Sequence, residues 1–301
     1  MSEDLQVLKK HYELAIVGCG PAGMAAALNA KIRKRDFILL GSGFCSPKLS
    51  KAPQVDNWLG FPEIGGEELR QRFLNHLKEQ AINIVEFKVT NVYPGPPYTL
   101  VGKDQSFEAD AVVLATGVSV NKLFPGEADL LGRGVGYCAT CDGPLYKNKR
   151  VAIISYEQAG EDEANFMADI CSKVLYIPYY SDLKRLDPRI EVYKGKVKGI
   201  VGESTVERLD VGEEELPVDG VFILRETLPA EQLISGLEME EGAIRVNHKL
   251  ETNLPGLFAA GDCTGQPFQL IKAAGEGGTA ALQAVKYLDN LKSPDPKVPI
   301  L

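Results

Sequence analysis

The sequence lacks the features of a membrane-spanning, secreted or nucleic-acid-binding protein. Its 301 residues contain no apolar run of about 18 residues, so no transmembrane helix is expected. Residues 1–12 are polar and lack the apolar stretch of a secretory signal. The net charge of −8 argues against a partner such as nucleic acid. We therefore expect a cytoplasmic protein, with two domains at about 150 residues each.

Cysteine is sparse, and only one pair has a spacing that suggests chemistry. The six cysteines are Cys19, Cys45, Cys138, Cys141, Cys171 and Cys263. A framework of structural disulfides is not expected in a long chain of this kind. Only Cys138 and Cys141 stand at C-x-x-C spacing, and the other four are predicted to be small buried hydrophobic side chains. No second C-x-x-C and no suitable histidine pair completes a four-ligand zinc site, so no metal is predicted.

Short apolar runs alternate with helical periodicity along the chain, which is typical of an α/β protein with parallel sheets. Strands are predicted at 13–17, 37–40, 111–115, 151–154, 174–177, 221–224 and 257–260, and helices at 21–31, 67–80, 161–171 and 273–291. We predict two Rossmann-like, three-layer nucleotide-binding domains, the second inserted into the first. The first would comprise residues 1–116 and 246–301, and the second residues 117–245.

The first predicted strand leads into Gly18-Cys19-Gly20-Pro21-Ala22-Gly23, which matches the dinucleotide-binding pattern G-x-G-x-x-G. Gly18 permits the tight turn, Gly20 lets the backbone approach a pyrophosphate, and Gly23 lets helix and strand pack closely. The helix N-terminus would then face the phosphate charge. The acid expected about 20 residues on is missing, because the second strand ends in Leu40-Gly41-Ser42. The loop alone does not distinguish FAD from NAD.

The segment Cys138-Ala139-Thr140-Cys141-Asp142 carries the clearest chemical signal. Two thiols at this spacing can cycle between dithiol and disulfide, with a thiolate as the nucleophile. Asp142 is placed to carry protons to and from a leaving thiol. We therefore predict Cys138, Cys141 and Asp142 as the catalytic residues.

These motifs together resemble the low-molecular-weight thioredoxin reductase family over nearly the whole chain. The resemblance rests on G-C-G-P-A-G at 18–23, Asn57-Trp58-Leu59-Gly60, Ala115-Thr116-Gly117, C-A-T-C-D-G at 138–143, Ala260-Gly261-Asp262 and Gln269-Leu270-Ile271. The flavin loop of that family also lacks the ribose acid. The resemblance implies FAD as cofactor, thioredoxin as partner, a homodimer, and two domains that rotate to expose the cysteine pair.

The resemblance also assigns roles residue by residue. Cys141 would lie nearest the flavin, Cys138 would attack the partner's disulfide, and Asp262 would bind the ribityl–phosphate part of FAD. The helix expected to start near Ala273 would direct its positive end at the flavin. The residues expected to bind FAD are Gly18, Gly20, Pro21, Ala22, Gly23, Gly41, Ser42, Lys48, Leu49, Asn57, Val89, Ala115, Thr116, Gly117, Gly261, Asp262, Gln269, Leu270 and Ile271.

The second nucleotide-binding loop departs from the family pattern. NADPH-dependent members carry G-x-G-x-x-A and a His-Arg-Arg run there, whereas this chain has Ser155-Tyr156-Glu157-Gln158-Ala159-Gly160 and Pro178-Tyr179-Tyr180. Glu157 places a negative side chain where a pyrophosphate must approach, which is repulsive as well as bulky. No cation remains in the second motif to neutralise a 2′-phosphate. NADPH is therefore not expected to be the electron donor.

The sequence most resembles ferredoxin-dependent flavin thioredoxin reductases, including E-D-E-A-N-F-M-A-D-I at 161–170 and K-A-A-G-E-G at 272–277. The resemblance implies a disulfide reductase that passes electrons from ferredoxin through FAD and the cysteine pair to thioredoxin. Three alternatives stay open: a dithiol oxidase that uses oxygen, an NADPH-dependent thioredoxin reductase, and a non-catalytic flavin-binding redox sensor.

One basic cluster is a candidate landing site for an acidic ferredoxin. It consists of Lys31, Arg33, Lys34 and Arg35, with Lys48 and Lys51 as further candidates. The helix dipole favours cations at a helix C-terminus in any case, so the cluster has an ordinary structural explanation as well.

Overall fold

A computed structural model of the chain describes residues 8–42, 45–103, 105–118, 123–225 and 230–292, without the side chains of Cys141 and Glu231. The described residues form two compact units. The first unit contains residues up to Val118 and those from Ala230 onward, and the second contains residues 123–225. Within these ranges no helix combines the length and the apolar character needed to cross a membrane.

The first unit is built on a seven-stranded sheet with the order β3-β2-β1-β6-β5-β4, in which β17 also pairs with β6. Its strands are β1 (His11–Val17), β2 (Phe37–Gly41), β3 (Ile84–Glu86), β4 (Asn91–Tyr93), β5 (Tyr98–Val101), β6 (Ser106–Leu114) and β17 (Leu257–Ala259). Strand β5 runs antiparallel to both of its neighbours, β4 and β6, and the other pairs of neighbouring strands are parallel. Val17 pairs with both Leu40 and Leu114, and Leu114 with Ala259, so four strands end at one edge.

Helices cover one face of this sheet, and both faces are buried. The helices of the unit are α1 (Pro21–Ile32), α2 (Pro47–Ser50), α3 (Gly66–Glu79), α6 (Ala230–Leu233) and α7 (Leu270–Lys292). Leu14 and Ile16 of β1 face a core shared with α1 and α7, whereas Ala15 and Val17 face the opposite core. A parallel strand buried on both faces has an unbroken apolar sequence, which is why residues 13–17 were recognisable.

The second unit has a five-stranded parallel sheet with the order β10-β9-β8-β14-β7. Its strands are β7 (Val135–Gly136), β8 (Arg150–Ser155), β9 (Lys173–Pro178), β10 (Glu191–Val192) and β14 (Gly220–Leu224). Helices α4 (Ala139–Asp142) and α5 (Gly160–Ala168) and an antiparallel meander complete the unit, the meander being β11 (Val197–Val201), β12 (Arg208–Val211) and β13 (Glu214–Pro217). Ser155 pairs with both Pro178 and Leu224, so these strands also end at one edge.

The predicted α/β architecture is confirmed, with differences in detail. Helix α5 ends at Ala168 rather than at 171, and α7 begins at Leu270 rather than at 273. The chain returns to the first unit by residue 230, before the junction expected at 245. The reason is that Leu233 and Ile234 of the returning segment lie in the core of the first unit, as do residues of the hairpin β15 (Met239–Glu240) and β16 (Ala243–Ile244).

Candidate active site

Loops that follow three neighbouring strands meet at the carboxyl edge of the first sheet. The amide of Gly18 donates to the Leu40 carbonyl at 2.7 Å, and the amide of Ala115 donates to the Val17 carbonyl at 2.8 Å. The fourth strand joins them through the Ala260 amide, which donates to Leu114 at 2.9 Å. Ligands of open α/β sheets bind at this edge. The predicted groups around 18–23, 41–42, 115–117 and 260–262 are thus brought together.

The three glycines of the first loop have different structural reasons. Gly18 has φ +112°, and a Cβ there would lie 2.2 Å from the Ala115 carbonyl oxygen. A Cβ on Gly23 would lie 1.8 Å from the Gly18 carbonyl oxygen, so helix and loop are in close contact. Gly20 precedes α1, and a Cβ there would meet nothing within 4 Å. The space in front of Gly20 is therefore open for a ligand.

The N-terminus of α1 suits an anion. No acidic residue stands in its first turn, and Pro21 occupies a first position that needs no N–H donor. The unpaired backbone amides at a helix start attract a phosphate charge. The open cradle at Gly20 and this uncharged helix start fit the pyrophosphate of FAD. Thr116 and Gly117 border the same edge, and a Cβ on Gly117 would also meet open space.

A second part of the site is the turn that carries Asp262. A short 3-10 helix, Asp262–Thr264, follows β17, and a Cβ on Gly261 would lie 2.9 Å from the Ala22 Cβ. Burial raises the pKa of the Asp262 carboxyl, and the positive charges of Lys48 and Lys272 partly oppose that rise. Lys48 therefore lies close enough to Asp262 for their charges to interact, and its part in binding a cofactor stays a prediction.

Lys272 and Glu276 hold this turn, and the sequence analysis did not identify them. The Lys272 ammonium donates to the carbonyl oxygens of Gly261 at 3.2 Å and Gly265 at 3.0 Å, and it pairs with Glu276 at 3.2 Å. Glu276 accepts from the Gly261 amide at 2.9 Å and from the Thr264 hydroxyl at 2.8 Å. Their i,i+4 spacing on α7 was the available signal.

The remaining residues predicted to bind FAD are only partly brought together. The Asn57 amide donates to the Gln269 side-chain oxygen at 2.9 Å, and Leu49 shares a small core with Leu270. Ile271 is half exposed on the first turn of α7. Val89 is buried in the core on the face of the first sheet to which Val17 points, opposite α1 and α7.

Cys19 and Cys45 are buried, as predicted, but they form a disulfide, so the expectation that they serve only as small hydrophobic side chains is wrong. Their Cα atoms are 5.3 Å apart, and 26 residues of sequence separate them. The sheet brings them together, because the loops after β1 and β2 are neighbours at the carboxyl edge. Cys171 and Cys263 are free thiols; Cys263 is buried as predicted, whereas Cys171 is only partly buried. Burial raises the pKa of each to about 11.

The predicted catalytic segment forms the short helix α4 of the second unit, which begins directly after Cys138. Cys138 is buried and its sulfur is part of a disulfide, while the Cys141 side chain lies outside the described residues. The amides of Ala139 and Thr140 donate to the Glu163 carboxylate at 2.8 and 3.4 Å. Glu163 therefore caps the helix that carries the pair, and its negative charge opposes a thiolate at Cys138. This cap was not foreseen from the sequence.

Asp142 lies at the end of that helix in a partly buried position. A Cβ built on Gly136 would lie 3.0 Å from the Asp142 carboxyl oxygen and 3.1 Å from the Phe222 ring. Asp142 therefore lies close to the backbone of β7. Burial raises the pKa of Asp142 above its ordinary value of 3.8. A carboxyl with a raised pKa is a better proton donor near neutral pH.

The second nucleotide loop is closed on itself. The Ser155 hydroxyl donates to the Glu157 carbonyl at 2.7 Å, and the Glu157 amide is 3.3 Å from the same hydroxyl. Helix α5 begins at Gly160, and its first turn carries Glu161, Asp162 and Glu163. Burial opposes ionisation of Glu161, but bonds from the Arg185 amide at 2.6 Å and the Tyr180 hydroxyl at 2.8 Å hold its pKa below the usual range.

Aromatic rings and an ion pair lie just beyond the carboxyl edge of the second sheet. Tyr156 follows β8 and Tyr179 follows β9, and their rings stack with centroids 4.7 Å apart. Arg225, which follows β14, lies over the Tyr156 ring and donates to the Glu127 carboxylate at 2.8 Å. Arg225 and Glu127 are 1% and 0% exposed, so this is a fully buried pair.

Comparison with known proteins gives the family. Residues 12–278 match the pyridine nucleotide-disulphide oxidoreductase family. A thioredoxin reductase from Listeria innocua is 31% identical in an alignment 306 residues long. The alignment covers 94% of this chain and 96% of that protein. Two crystal structures of a ferredoxin-flavin thioredoxin reductase from Clostridium acetobutylicum are similar to this chain. The first has a TM-score of 0.87 and 47% identity and covers 93% of this chain and 99% of that one. The second has a TM-score of 0.88 and 44% identity and covers 94% and 99%. This chain belongs to the thioredoxin reductase family, whose members are FAD-binding oxidoreductases acting on disulfides.

Proposed function

We propose that the protein is a ferredoxin-dependent thioredoxin reductase that does not use NADPH. Electrons would pass from reduced ferredoxin, by way of FAD and the Cys138–Cys141 pair, to the disulfide of thioredoxin. The observation that carries the proposal is the second nucleotide loop, closed by Ser155 and Glu157 and followed by three carboxylates on α5. The similarity to the two Clostridium acetobutylicum structures also supports it.

The contrast between the two loops supports the absence of an NADPH site. The first loop offers open space at Gly20 and no acid in the helix start, whereas the second offers Glu157 and an ionised Glu161. Carboxylates at a helix N-terminus already satisfy its positive end, so a pyrophosphate there would gain little and would be repelled. The Tyr179 hydroxyl, at the position of the lost basic run, already accepts a bond from the Val197 amide at 2.9 Å.

The proposed donor suits the energetics of the reaction. FAD, when bound, can accept electrons one at a time and release them in pairs. Two reduced ferredoxins and two protons would convert one disulfide into two thiols. A ferredoxin near −400 mV and a thioredoxin near −270 mV differ by about 130 mV, which is roughly 6 kcal/mol for two electrons.

The roles of the cysteine pair follow from thiol–disulfide exchange. The Cys138 thiolate would attack one sulfur of the thioredoxin disulfide and release the other as a thiolate. Asp142, whose raised pKa favours the protonated form, would protonate that leaving thiolate. Cys141 would then attack Cys138 and release reduced thioredoxin. The Cys138–Cys141 disulfide re-forms and is ready for the next electron pair.

An anaerobic titration tests the electron donor. The oxidised holoprotein receives NADPH while flavin absorbance is followed, and then reduced ferredoxin and thioredoxin. We expect no bleaching by NADPH, bleaching by ferredoxin, and reduction of thioredoxin. Immediate bleaching by NADPH would contradict the proposal and indicate a conventional reductase, whereas peroxide formed from a dithiol in air would indicate the oxidase.

Two variants make this test specific. Cys138→Ser should abolish thioredoxin reduction while ferredoxin still bleaches the flavin. Cys171→Ser, which changes a free and partly buried thiol in the same unit, should leave turnover unchanged. Turnover that persists in Cys138→Ser would refute the assigned role of the pair.

The basic cluster supports a ferredoxin landing site only in part. Arg33 and Lys34 are exposed at the end of α1. Arg35 is 13% exposed and pairs with Glu13 and Asp289, so it does not contribute. Replacing Arg33 and Lys34 with glutamate should slow ferredoxin-driven turnover and weaken its salt dependence. The homodimer and the cytoplasmic location expected from the sequence stay predictions.

A further inference from the structure

The Cys19–Cys45 disulfide joins two loops at the predicted FAD site, and no role in the thioredoxin reductase reaction accounts for it. Cys19 lies between Gly18 and Gly20 of the first glycine loop, and Cys45 lies between β2 and α2. Each cysteine is 5% exposed. The Cys19 and Cys45 sulfurs are 3.7 and 3.6 Å from the Ser42 carbonyl oxygen, so the bridge covers the end of β2.

The end of β2 is where this fold holds the adenosine ribose, which an acid binds in many relatives of the fold. This chain has Gly41-Ser42 instead, and a Cβ on Gly41 would lie 2.4 Å from the Cys19 sulfur. The disulfide therefore takes the space that a side chain at position 41 would need. It forms part of the wall of the site rather than a distant crosslink.

The bridge also fixes α2 relative to the glycine loop. Cys45 stands two residues before α2, which carries the predicted FAD residues Lys48 and Leu49. Other contacts also hold this segment, among them the Arg70 guanidinium, which donates to the Cys45 carbonyl at 3.4 Å, and the burial of Leu49. Because these contacts persist without the bridge, its loss should loosen the ribose side of the site without unfolding it.

We propose that Cys19–Cys45 is a second thiol–disulfide exchange site, whose reduction by a dithiol weakens the binding of FAD. A dithiol would attack one sulfur of the bridge, form a mixed disulfide and release one cysteine as a thiol. The second thiol of the reductant would release the other cysteine and leave as a disulfide, so two electrons and two protons are transferred. Where dithiols are kept reduced, disulfides that do form are usually transient, catalytic or redox-sensing.

Thermodynamic linkage makes the proposal quantitative. If reduction raises the dissociation constant of FAD by a given factor, FAD must disfavour reduction of the bridge by the same factor. We expect a factor of about ten, because loop ordering lost with the bridge must be regained on binding. For a two-electron couple, tenfold corresponds to a reduction potential about 30 mV lower in the holoprotein than in the apoprotein.

The experiment uses the full chain with Cys138→Ser and Cys141→Ser, which removes the catalytic pair and any electron path through it. Apoprotein is equilibrated anaerobically with oxidised and reduced dithiothreitol at set ratios. Alkylation and mass spectrometry then measure the thiol fraction of Cys19 and Cys45, with and without FAD. In parallel, FAD affinity is measured by flavin fluorescence for the oxidised and the reduced protein.

We expect FAD to bind the oxidised form about tenfold more tightly, and the bridge in the FAD complex to be correspondingly harder to reduce. Cys45→Ser should bind FAD as the reduced protein does and lose its sensitivity to dithiothreitol. Cys263→Ser, which changes a buried free thiol of the same unit, should keep that sensitivity. Equal FAD affinity in both redox states would overturn the proposal, as would a bridge that is reduced only when the protein unfolds in urea.

No step of this test uses ferredoxin, thioredoxin or NADPH. If ferredoxin were not the electron donor, the effect of the bridge on FAD affinity would be unchanged. Equal FAD affinity in both redox states would likewise not affect the assignment of the donor.

Discussion

Replacing single glycines of the first loop separates what the fold needs from what the cofactor needs. In Gly20→Ala the backbone stays in an ordinary region, with φ −75° and ψ −177°, and the new methyl group meets no protein atom within 4 Å. Alanine is a poorer helix N-cap than glycine, so the apoprotein should lose only about 0.5–1 kcal/mol. The methyl group would instead occupy the approach of the pyrophosphate. Overpacking costs about 1–3 kcal/mol, or roughly 5- to 150-fold in the dissociation constant of FAD.

Gly18→Ala should instead lower the stability of the fold itself. Its methyl group would lie 2.2 Å from the Ala115 carbonyl oxygen at φ +112°, a conformation that costs a non-glycine residue about 1–3 kcal/mol before the clash is counted. We therefore expect the apoprotein to lose more than about 3 kcal/mol of unfolding free energy.

Urea unfolding of the apoprotein and FAD titration of each variant measure the two effects. Gly65→Ala is the matched control, because Gly65 is also an extended N-cap glycine, and a Cβ there would come no closer than 4.0 Å to Pro53. It should share the small stability loss of Gly20→Ala and bind FAD normally. If Gly20→Ala bound FAD as tightly as the unchanged protein, the assignment of this cradle to the pyrophosphate would be refuted.

Three further predictions concern the second unit. Arg225→Met should lower the free energy of unfolding in urea by about 3–5 kcal/mol, because it leaves the Glu127 carboxylate buried without its cation. The double variant with Glu127→Gln should lose less stability than the sum of the two single variants. Additive losses would contradict the pairing. Asp142→Asn should raise the unfolding free energy at neutral pH. A raised carboxyl pKa means that the native state is favoured at low pH and loses stability as pH rises through that pKa, so the gain over the unchanged protein should vanish below pH 3.8. Glu163→Gln should lower the pKa of the reduced Cys138 thiol, because it removes the carboxylate at the start of helix α4. The rate of alkylation measured against pH gives this pKa. An unchanged pKa would show that the cap does not act on the thiol.

The parts of the fold that were predictable from sequence are those with a strong local pattern. The run at 13–17, the glycine loop and the helix from Pro21 are read from adjacent residues, and the structure places them at 11–17, 18–20 and 21–32. The short strands of the meander escaped prediction because their stability comes from pairing between strands rather than from periodicity within each.

The candidate site likewise has parts that are contiguous in sequence and parts that join distant residues. The residue patterns alone identified the glycines of the first loop and the C-x-x-C segment, because each is a contiguous motif. The Cys19–Cys45 bridge, the cap by Glu163 and the Arg225–Glu127 pair each join residues far apart in sequence. Only the folded structure brings these partners within reach, so the sequence patterns indicated none of the three interactions.

The pairing of β6 with β17 has a consequence for synthesis on the ribosome. The partner of Leu114 in that pair is Ala259, and Gly277 of α7 packs against the backbone of Ala22 in α1. The second unit is contiguous in sequence and emerges complete between these halves. At about 5–20 residues per second, the nascent strands of the first unit wait roughly 7–30 s for their C-terminal partners. Until then the nascent β6 lacks one of its strand partners, and the part of the cofactor cradle around residues 260–262 is still missing.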